Sequence, residues 1–192
     1  MESRARLFGH AVHPMLIVFP LGLLTTAVVF DIVGLITGEL RWHDLAYYLI
    51  AVGVIGGLAA ALAGWIDWAA IPGGTRAKRI GLVHGVGNVI VVALFILSWL
   101  LRREAAPPPP TTAVVASVVG LGLAVITGWL GGELVERLGV GVYDGAHLDA
   151  PSSLSQLPAS LNRRPAPKWS GPERRKQAMA WSGVERRAVV AR

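Results

Sequence analysis

Four long apolar runs, 15–36, 45–71, 80–101 and 113–130, alternate with short polar breaks along the first two thirds of the chain. Inside each run the apolar residues are continuous rather than alternating, and a lone membrane hairpin of strands would carry unpaired edges, so strands are not expected. Each run is about long enough to cross a ~30 Å hydrocarbon core as a helix, and the fourth is expected to continue toward Leu134. The predicted fold is all-α: an integral-membrane four-helix bundle running up-down-up-down, with spans at about 13–37, 45–71, 79–102 and 113–134. Residues 38–44 join the first pair, Pro72-Gly73-Gly74-Thr75 sits in the second break, and Pro107 to Pro110 separates the third helix from the fourth. Such short connections make consecutive helices antiparallel neighbours.

Past Val142 the pattern changes. Pro, Ser, Arg and Gln replace the apolar runs, which predicts a membrane domain over 1–142 and a flexible, disordered basic tail over 143–192. The tail repeats itself once: Trp169-Ser-Gly-Pro-Glu-Arg-Arg175 returns as Trp181-Ser-Gly-Val-Glu-Arg-Arg187. Trp beside paired Arg suits an anionic lipid surface or an acidic partner groove. A solvated tail with a local duplication is the plainer alternative.

Composition then decides the solvent. The chain is 53% apolar and 16% charged, and the run 15–36 holds one charge, Asp31, while 80–101 and 113–130 hold none. That is too few to coat a water-soluble domain, so the lipid bilayer is the expected partner. A net charge of +6 could point to nucleic acid. Beside four apolar spans, anionic lipid is the expected partner instead, and no nucleic acid. The absence of cysteine excludes disulfides, thiolate-held iron–sulfur clusters and covalently attached c-type haem. The apolar run after Arg4 and Arg6 is too long for a cleaved signal and reads as an uncleaved first span.

Orientation follows from Lys and Arg near the span ends. One side holds Arg4, Arg6, Arg76, Lys78, Arg79 and Arg137, the other Arg41, Arg102 and Arg103, which places both termini in the cytoplasm. Trp42, Tyr47, Tyr48 and Trp99 would mark the outer interface, and Trp65, Trp68 and Trp129 the inner one. Small residues recur at helical spacing in the second span (Gly53, Gly57, Ala60, Ala61, Gly64) and the fourth (Gly120, Ala124, Gly128, Gly132). Such stripes serve close packing within the bundle or the seam of a homo-oligomer.

Ionisable groups inside a membrane ask for a reason. His13, Asp67, His84 and Glu133 come from four different helices, yet antiparallel spans bring them into one layer on the order of 10 Å thick near the cytoplasmic face. Both His lie near helix starts and both carboxylates near helix ends, where the helix dipoles disfavour their charges. Cross-bundle pairing, or a bound cation, would relieve this. Gly81, His84, Gly85 and Asn88 share one face of the third helix and should leave room near His84. Pro20 lies mid-span and should kink the first helix by freeing the Leu16 carbonyl. The plainer readings are a packing role for each His, pairing of Asp67 with Arg76, Lys78 or Arg79, and a solvated Glu133. Asp31, His43 and Asp44 are expected to be solvated near the opposite face, and His10 and His147 have no support as ligands.

The segment His13-Pro14-Met-Leu-Ile-Val-Phe19-Pro20, the stretch Gly64-Trp65-Ile66-Asp67-Trp68, the His84 segment, and Gly131-Gly132-Glu133-Leu134-Val135 followed by Gly139-Val140-Gly141-Val142 resemble a bacterial membrane family, domain of unknown function 2231, over roughly 9–142. The His-Pro and Gly-Trp-x-Asp-Trp motifs are fairly specific together and weak apart. The resemblance implies a four-helix domain in the bacterial inner (cytoplasmic) membrane. Relatives fused to Rieske or cytochrome c modules hint at electron transfer. The chain departs from the pattern at Glu136 and Leu138, where an aromatic residue and often a His are expected.

Two functions follow. In the first, His13 and His84 bind haem b, with Asp67, Glu133 and Asn88 as supporting or proton-accepting groups, or the two His with Asp67 and Glu133 hold a divalent metal. In the second, the chain is a non-catalytic accessory subunit of a larger membrane complex, docking through its glycine stripes and tail and binding partners, lipid or pigment. No hydrolytic nucleophile with a base beside it is recognisable, and no paired broken helices mark a transporter, so an enzyme is not expected.

Overall fold

A computed structural model describes residues 1–103, 105, 108–155 and 157–162. Four helices long and apolar enough to cross a membrane run Val12–Thr37, Leu40–Ala70, Arg76–Arg103 and Thr111–Arg137. All exceed the ~20 residues a span requires, so their ends project past the hydrocarbon. Large apolar side chains such as Ile36 and Leu62, 79% and 72% exposed, cover the outside. The small core of Leu24, Ala27, Val28, Ala46, Ile50, Val91 and Phe95 lies between the helices. An apolar exterior is what lipid selects and water does not.

The first span is interrupted as Pro20 predicts. Helix α1 (Val12–Leu16) stops at Ile17, and α2 (Val18–Thr37) continues to Gly38. Proline has no N–H to offer the Leu16 carbonyl, so the helical ladder lapses there. Gly38 ends α2 with φ 72°, its N–H bonded to the Gly34 carbonyl at 2.9 Å; a left-handed residue at this place suits glycine. The connection to α3 (Leu40–Ala70) is then only Gly38 and Glu39. The expected loop 38–44 is mostly helix, because Trp42 and His43 turn back onto the first span: Phe30 and Trp42 meet edge to face at 5.1 Å, and His43 bonds Asp31. Helix α4 (Arg76–Arg103) and α5 (Thr111–Gly132) form the second hairpin, and α5 widens into a π-helical turn over Glu133–Arg137.

Packing is closest within each hairpin, α2 on α3 and α4 on α5, less between α3 and α4, and least between α2 and α5. The two hairpins also match position by position. Adding 71 to His13, Leu24, Ala27 and Asp31 gives His84, Phe95, Ser98 and Arg102; adding 67 to Ala46, Ile50, Gly53, Ala60 and Gly64 gives Ala113, Ser117, Gly120, Thr127 and Gly131. Ala27 and Ser98 are both fully buried, as are Ala46 with Ala113 and Ile50 with Ser117. A Cβ on Gly53 would stand 2.6 Å from Leu24 Cδ2, and one on Gly120 3.0 Å from Phe95 Cε2. The hairpins therefore repeat one packing scheme with different side chains.

One end of the bundle is closed by the chain's first residues. Strands β1 (Arg6–Leu7) and β2 (His10–Ala11) pair antiparallel around Phe8 and Gly9, both at positive φ, the conformation of a tight hairpin turn. Residues after the fourth span fold onto this hairpin: the Gly141 N–H donates to the Met1 carbonyl at 2.9 Å, and the Tyr143 hydroxyl donates to the Gly9 carbonyl. Arg6 bonds Glu2 and holds its carboxyl below the usual range, helped by the Asp144 N–H. The compact unit runs Met1–Leu161, past the change of composition at Val142. Both Trp-Ser-Gly repeats lie outside the described residues.

Candidate functional site

His13 stands in α1 and His84 in α4, on diagonally placed spans, and their rings meet at right angles. The ring centres are 6.2 Å apart and the planes cross at 86°. Each Nδ1 lies 2.8 Å from a backbone carbonyl, His13 on Ala60 and His84 on Thr127. A carbonyl only accepts, so each Nδ1 carries the proton, and in the neutral rings each Nε2 keeps its lone pair. Glycines make room for both rings. A Cβ on Gly64 would be 2.9 Å from His13 Nδ1, and one on Gly131 3.1 Å from His84 Cε1. Asn88 lies one turn beyond His84. Its amide donates to the His84 carbonyl at 2.9 Å and stands 3.3 Å from His84 Nε2, while its oxygen accepts from the Thr127 hydroxyl at 3.1 Å.

The two carboxylates have other partners. Asp67 accepts from the Ser3 hydroxyl at 2.8 Å and from the Arg4 and Ala5 N–H groups at 2.7 and 3.0 Å. It anchors the N-terminal segment, and the expected alternative of an Arg76, Lys78 or Arg79 partner gives way to this one. Backbone N–H groups satisfy a carboxylate at fixed geometry, whereas a lysine or arginine would have to give up side-chain freedom. Glu133 pairs with Arg76 at 2.7 Å. Among the described residues no three His, Asp or Glu side chains come together as a metal-ligand group.

The Gly-Trp-x-Asp-Trp motif thereby has a local account. Gly64 admits the His13 ring, and Asp67 holds residues 3–5. The Trp68 indole donates to the Lys78 carbonyl at 3.2 Å, while the Lys78 ammonium lies 3.9 Å from the centre of its ring. A Cβ on Gly81 would stand 2.8 Å from Trp68 Cδ1. Gly85, expected on the inward face, meets nothing within 4 Å and is exposed.

The opposite end of the bundle holds a polar cluster that overturns one expectation. Asp31 and His43 are not solvated: they are 0% and 5% exposed. The Arg102 guanidinium donates to both Asp31 oxygens at 2.7 and 2.6 Å, and His43 Nδ1 lies 3.0 Å from Asp31 Oδ1. Ser98 and Ser117 close the network against Arg102, at 3.2 and 3.3 Å. Gly34 leaves the space that the His43 ring fills, since a Cβ there would be 2.7 Å from Nε2. Burying a lone carboxylate costs several kcal/mol, roughly, so the bidentate partner decides the matter. The sequence signal was available: Asp31 is the one charge in its run, and Arg102 lies at matching depth in the third span. Asp44 is exposed, as expected. The His10 ring meets Ser153, and the His147 ring meets the Leu161 carbonyl and the Asp149 N–H.

No curated protein and no solved structure matches the chain. A family model described as a predicted membrane protein, DUF2231, matches residues 9–144, from just before His13 to just after the fourth span. The match covers most of the chain and all the elements that build the His pair, and the chain belongs to this family of multi-pass membrane proteins.

Proposed function

We propose that this membrane protein carries a cofactor on His13 and His84 and takes part in electron transfer, the cofactor being haem b or, as a variant, a divalent metal ion. The observation that carries the reading is the pair itself: two imidazoles from different hairpins, 6.2 Å apart, each with Nδ1 tied to a carbonyl. That tether is how metal-binding histidines are usually oriented, because it fixes the tautomer and leaves Nε2 as donor. The donor set fits the group. Bound there, haem would supply one-electron chemistry. Gly64 and Gly131 give the rings space, Asn88 and Thr127 steady His84, and the segment held by Asp67 covers that end of the bundle and limits water.

The location proposed is the bacterial inner membrane with both termini cytoplasmic. The opposing side holds Arg41, Arg102 and Arg103 against six cationic residues. Anionic lipid, or an acidic partner, is the proposed contact of the basic tail. A visible absorption spectrum of gently purified protein, with elemental analysis, tests the reading. A Soret band that shifts on reduction, or a near-stoichiometric metal, is expected, and His13→Ala and His84→Ala should each remove it. A folded protein that is colourless and metal-free would sink it.

One observation favours the second reading, a non-catalytic subunit in a homo-oligomer or larger complex. Gly128 and Gly132, one turn apart on the fourth span, meet nothing within 4 Å, leaving small positions where another helix can approach closely.

A further inference from the structure

We propose that the small β-hairpin ahead of the first span is a lipid-contacting element: its tip, Leu7 and Phe8, sits in the bilayer interface at the His-pair end of the bundle. The chain would then hold the membrane by one contact outside its four spans. This stands apart from whatever His13 and His84 bind.

The hairpin is rooted at the level of the helix ends. Asp67 accepts from residues 3–5, which sets the start of β1 beside the last turn of α3. The Val12 N–H donates to the Ala5 carbonyl at 2.8 Å, and β2 runs into α1 with no residue between them. Around this root the helices show apolar surface outward: Trp65 and Ile66 on α3, Val18 and Phe19 on the first span. Tryptophan at a span end marks the headgroup level. Two-residue strands and a tight turn carry the tip only about 10 Å from the root, so it stays close to the bilayer surface.

The chemistry of the tip points to lipid. Phe8 and Gly9 have φ of 50° and 81°. A turn with both central residues left-handed favours Asn-Gly or Asp-Gly, and a bulky side chain is disfavoured at positive φ. Phe8 holds that position while 73% exposed, and Leu7 beside it is exposed too. In water such a residue costs twice, in backbone conformation and in bare apolar surface. Lipid removes the second cost. The segment folded onto the hairpin adds to the surface: a Cβ on Gly9 would stand 2.9 Å from Ser153 Cβ, and the next residue, Leu154, is exposed. A protein pocket could also take an apolar tip. Continuity with the lipid-facing helices favours the bilayer, as do the exposed Arg4 at the hairpin's foot and the exposed Arg76 and Arg79 at the same end, which suit anionic headgroups.

The chain holds no cysteine, so one introduced thiol reports one position. The full chain carrying Leu7→Cys is labelled with a polarity-sensitive fluorophore and placed in vesicles of phosphatidylcholine and phosphatidylglycerol. Emission should shift to the blue, and nitroxide lipids labelled near the top of the acyl chain should quench it more than those labelled at the chain end. Leu62→Cys, outward-facing in α3, gives the reference for a position in lipid. Adding Phe8→Gly removes the ring and suits the left-handed backbone, so the turn stays intact; quenching of the Leu7 label by lipid should then fall and quenching by aqueous iodide should rise. Water-like emission in the vesicles, open to iodide and untouched by nitroxide lipid, overturns the proposal. So does emission that turns blue only in native membranes, which would assign the tip to a protein partner. Lipid quenching unchanged by Phe8→Gly overturns it as well, because the ring would then not be what holds the tip.

Discussion

Asp31 and Arg102 meet through two hydrogen bonds, 2.7 and 2.6 Å long, at the end of the bundle away from the His pair. They occupy matching positions of the two hairpins, as His13 and His84 do, so each end of the bundle is crossed by one polar contact between the first and third spans. At one end the contact is an ion pair that needs nothing further. At the other it is two imidazole rings 6.2 Å apart, each held through Nδ1 by a backbone carbonyl.

Breaking the ion pair from one side should be costly. Arg102→Met leaves the buried Asp31 carboxylate with His43 alone, and Asp31→Asn leaves the buried Arg102 charge without a carboxylate; removing one member of a buried pair typically costs about 3–5 kcal/mol. Thermal unfolding in detergent should show a large loss for each single variant. The double variant Asp31→Asn, Arg102→Met should be far less destabilised than the sum of the two. Additive losses would mean the residues do not act as a pair.

Asp67 should matter to the N-terminal segment more than to the bundle. Asp67→Ala removes the acceptor for Ser3, Arg4 and Ala5, and hydrogen bonds to a charged group are worth about 1.5–3 kcal/mol each. Trypsin should then cut after Arg4 and Arg6 much faster, with the helical content unchanged. Ser3→Ala keeps two of the three donors and should have a smaller effect. Equal cleavage of wild type and Asp67→Ala would show that the anchor lies elsewhere.

The glycines of the fourth span should separate into two kinds. Gly120→Ala places a carbon 3.0 Å from the buried Phe95 ring, and overpacking of this sort costs about 1–3 kcal/mol. Gly128→Ala and Gly132→Ala meet open space and should leave the melting temperature unchanged. If those two substitutions change the oligomeric state seen by cross-linking in membranes, the open face is a docking seam. If Gly128→Ala destabilises the isolated chain as much as Gly120→Ala, the division is wrong.

Topology can be read with reporter fusions. Fusions after Gly38 and Pro108 should report the outside, and one after Gly74 the inside. Reversed reporters would refute the orientation and leave the bundle untouched.

The membrane character, the number of spans and the break at Pro20 are legible in the chain alone, because they depend on local quantities: run length, missing charge and a missing N–H. So is the approach of His13 to His84, which follows from antiparallel helices and counting. The partners of Asp67, Asp31 and Glu133 are not local quantities. Which of several donors reaches a carboxylate depends on helix rotation and on where the chain ends fold back, and several sequence-allowed partners differ by little in depth. Arg102 could snorkel to the interface or turn inward, and only packing against Ser98, Ser117 and Asp31 chose the second. The duplication is hidden for a related reason. Lipid-facing positions accept any apolar side chain, and buried ones are tied only to their contacts, so Leu24 on Gly53 and Phe95 on Gly120 keep the same geometry with no shared letters beyond the glycine.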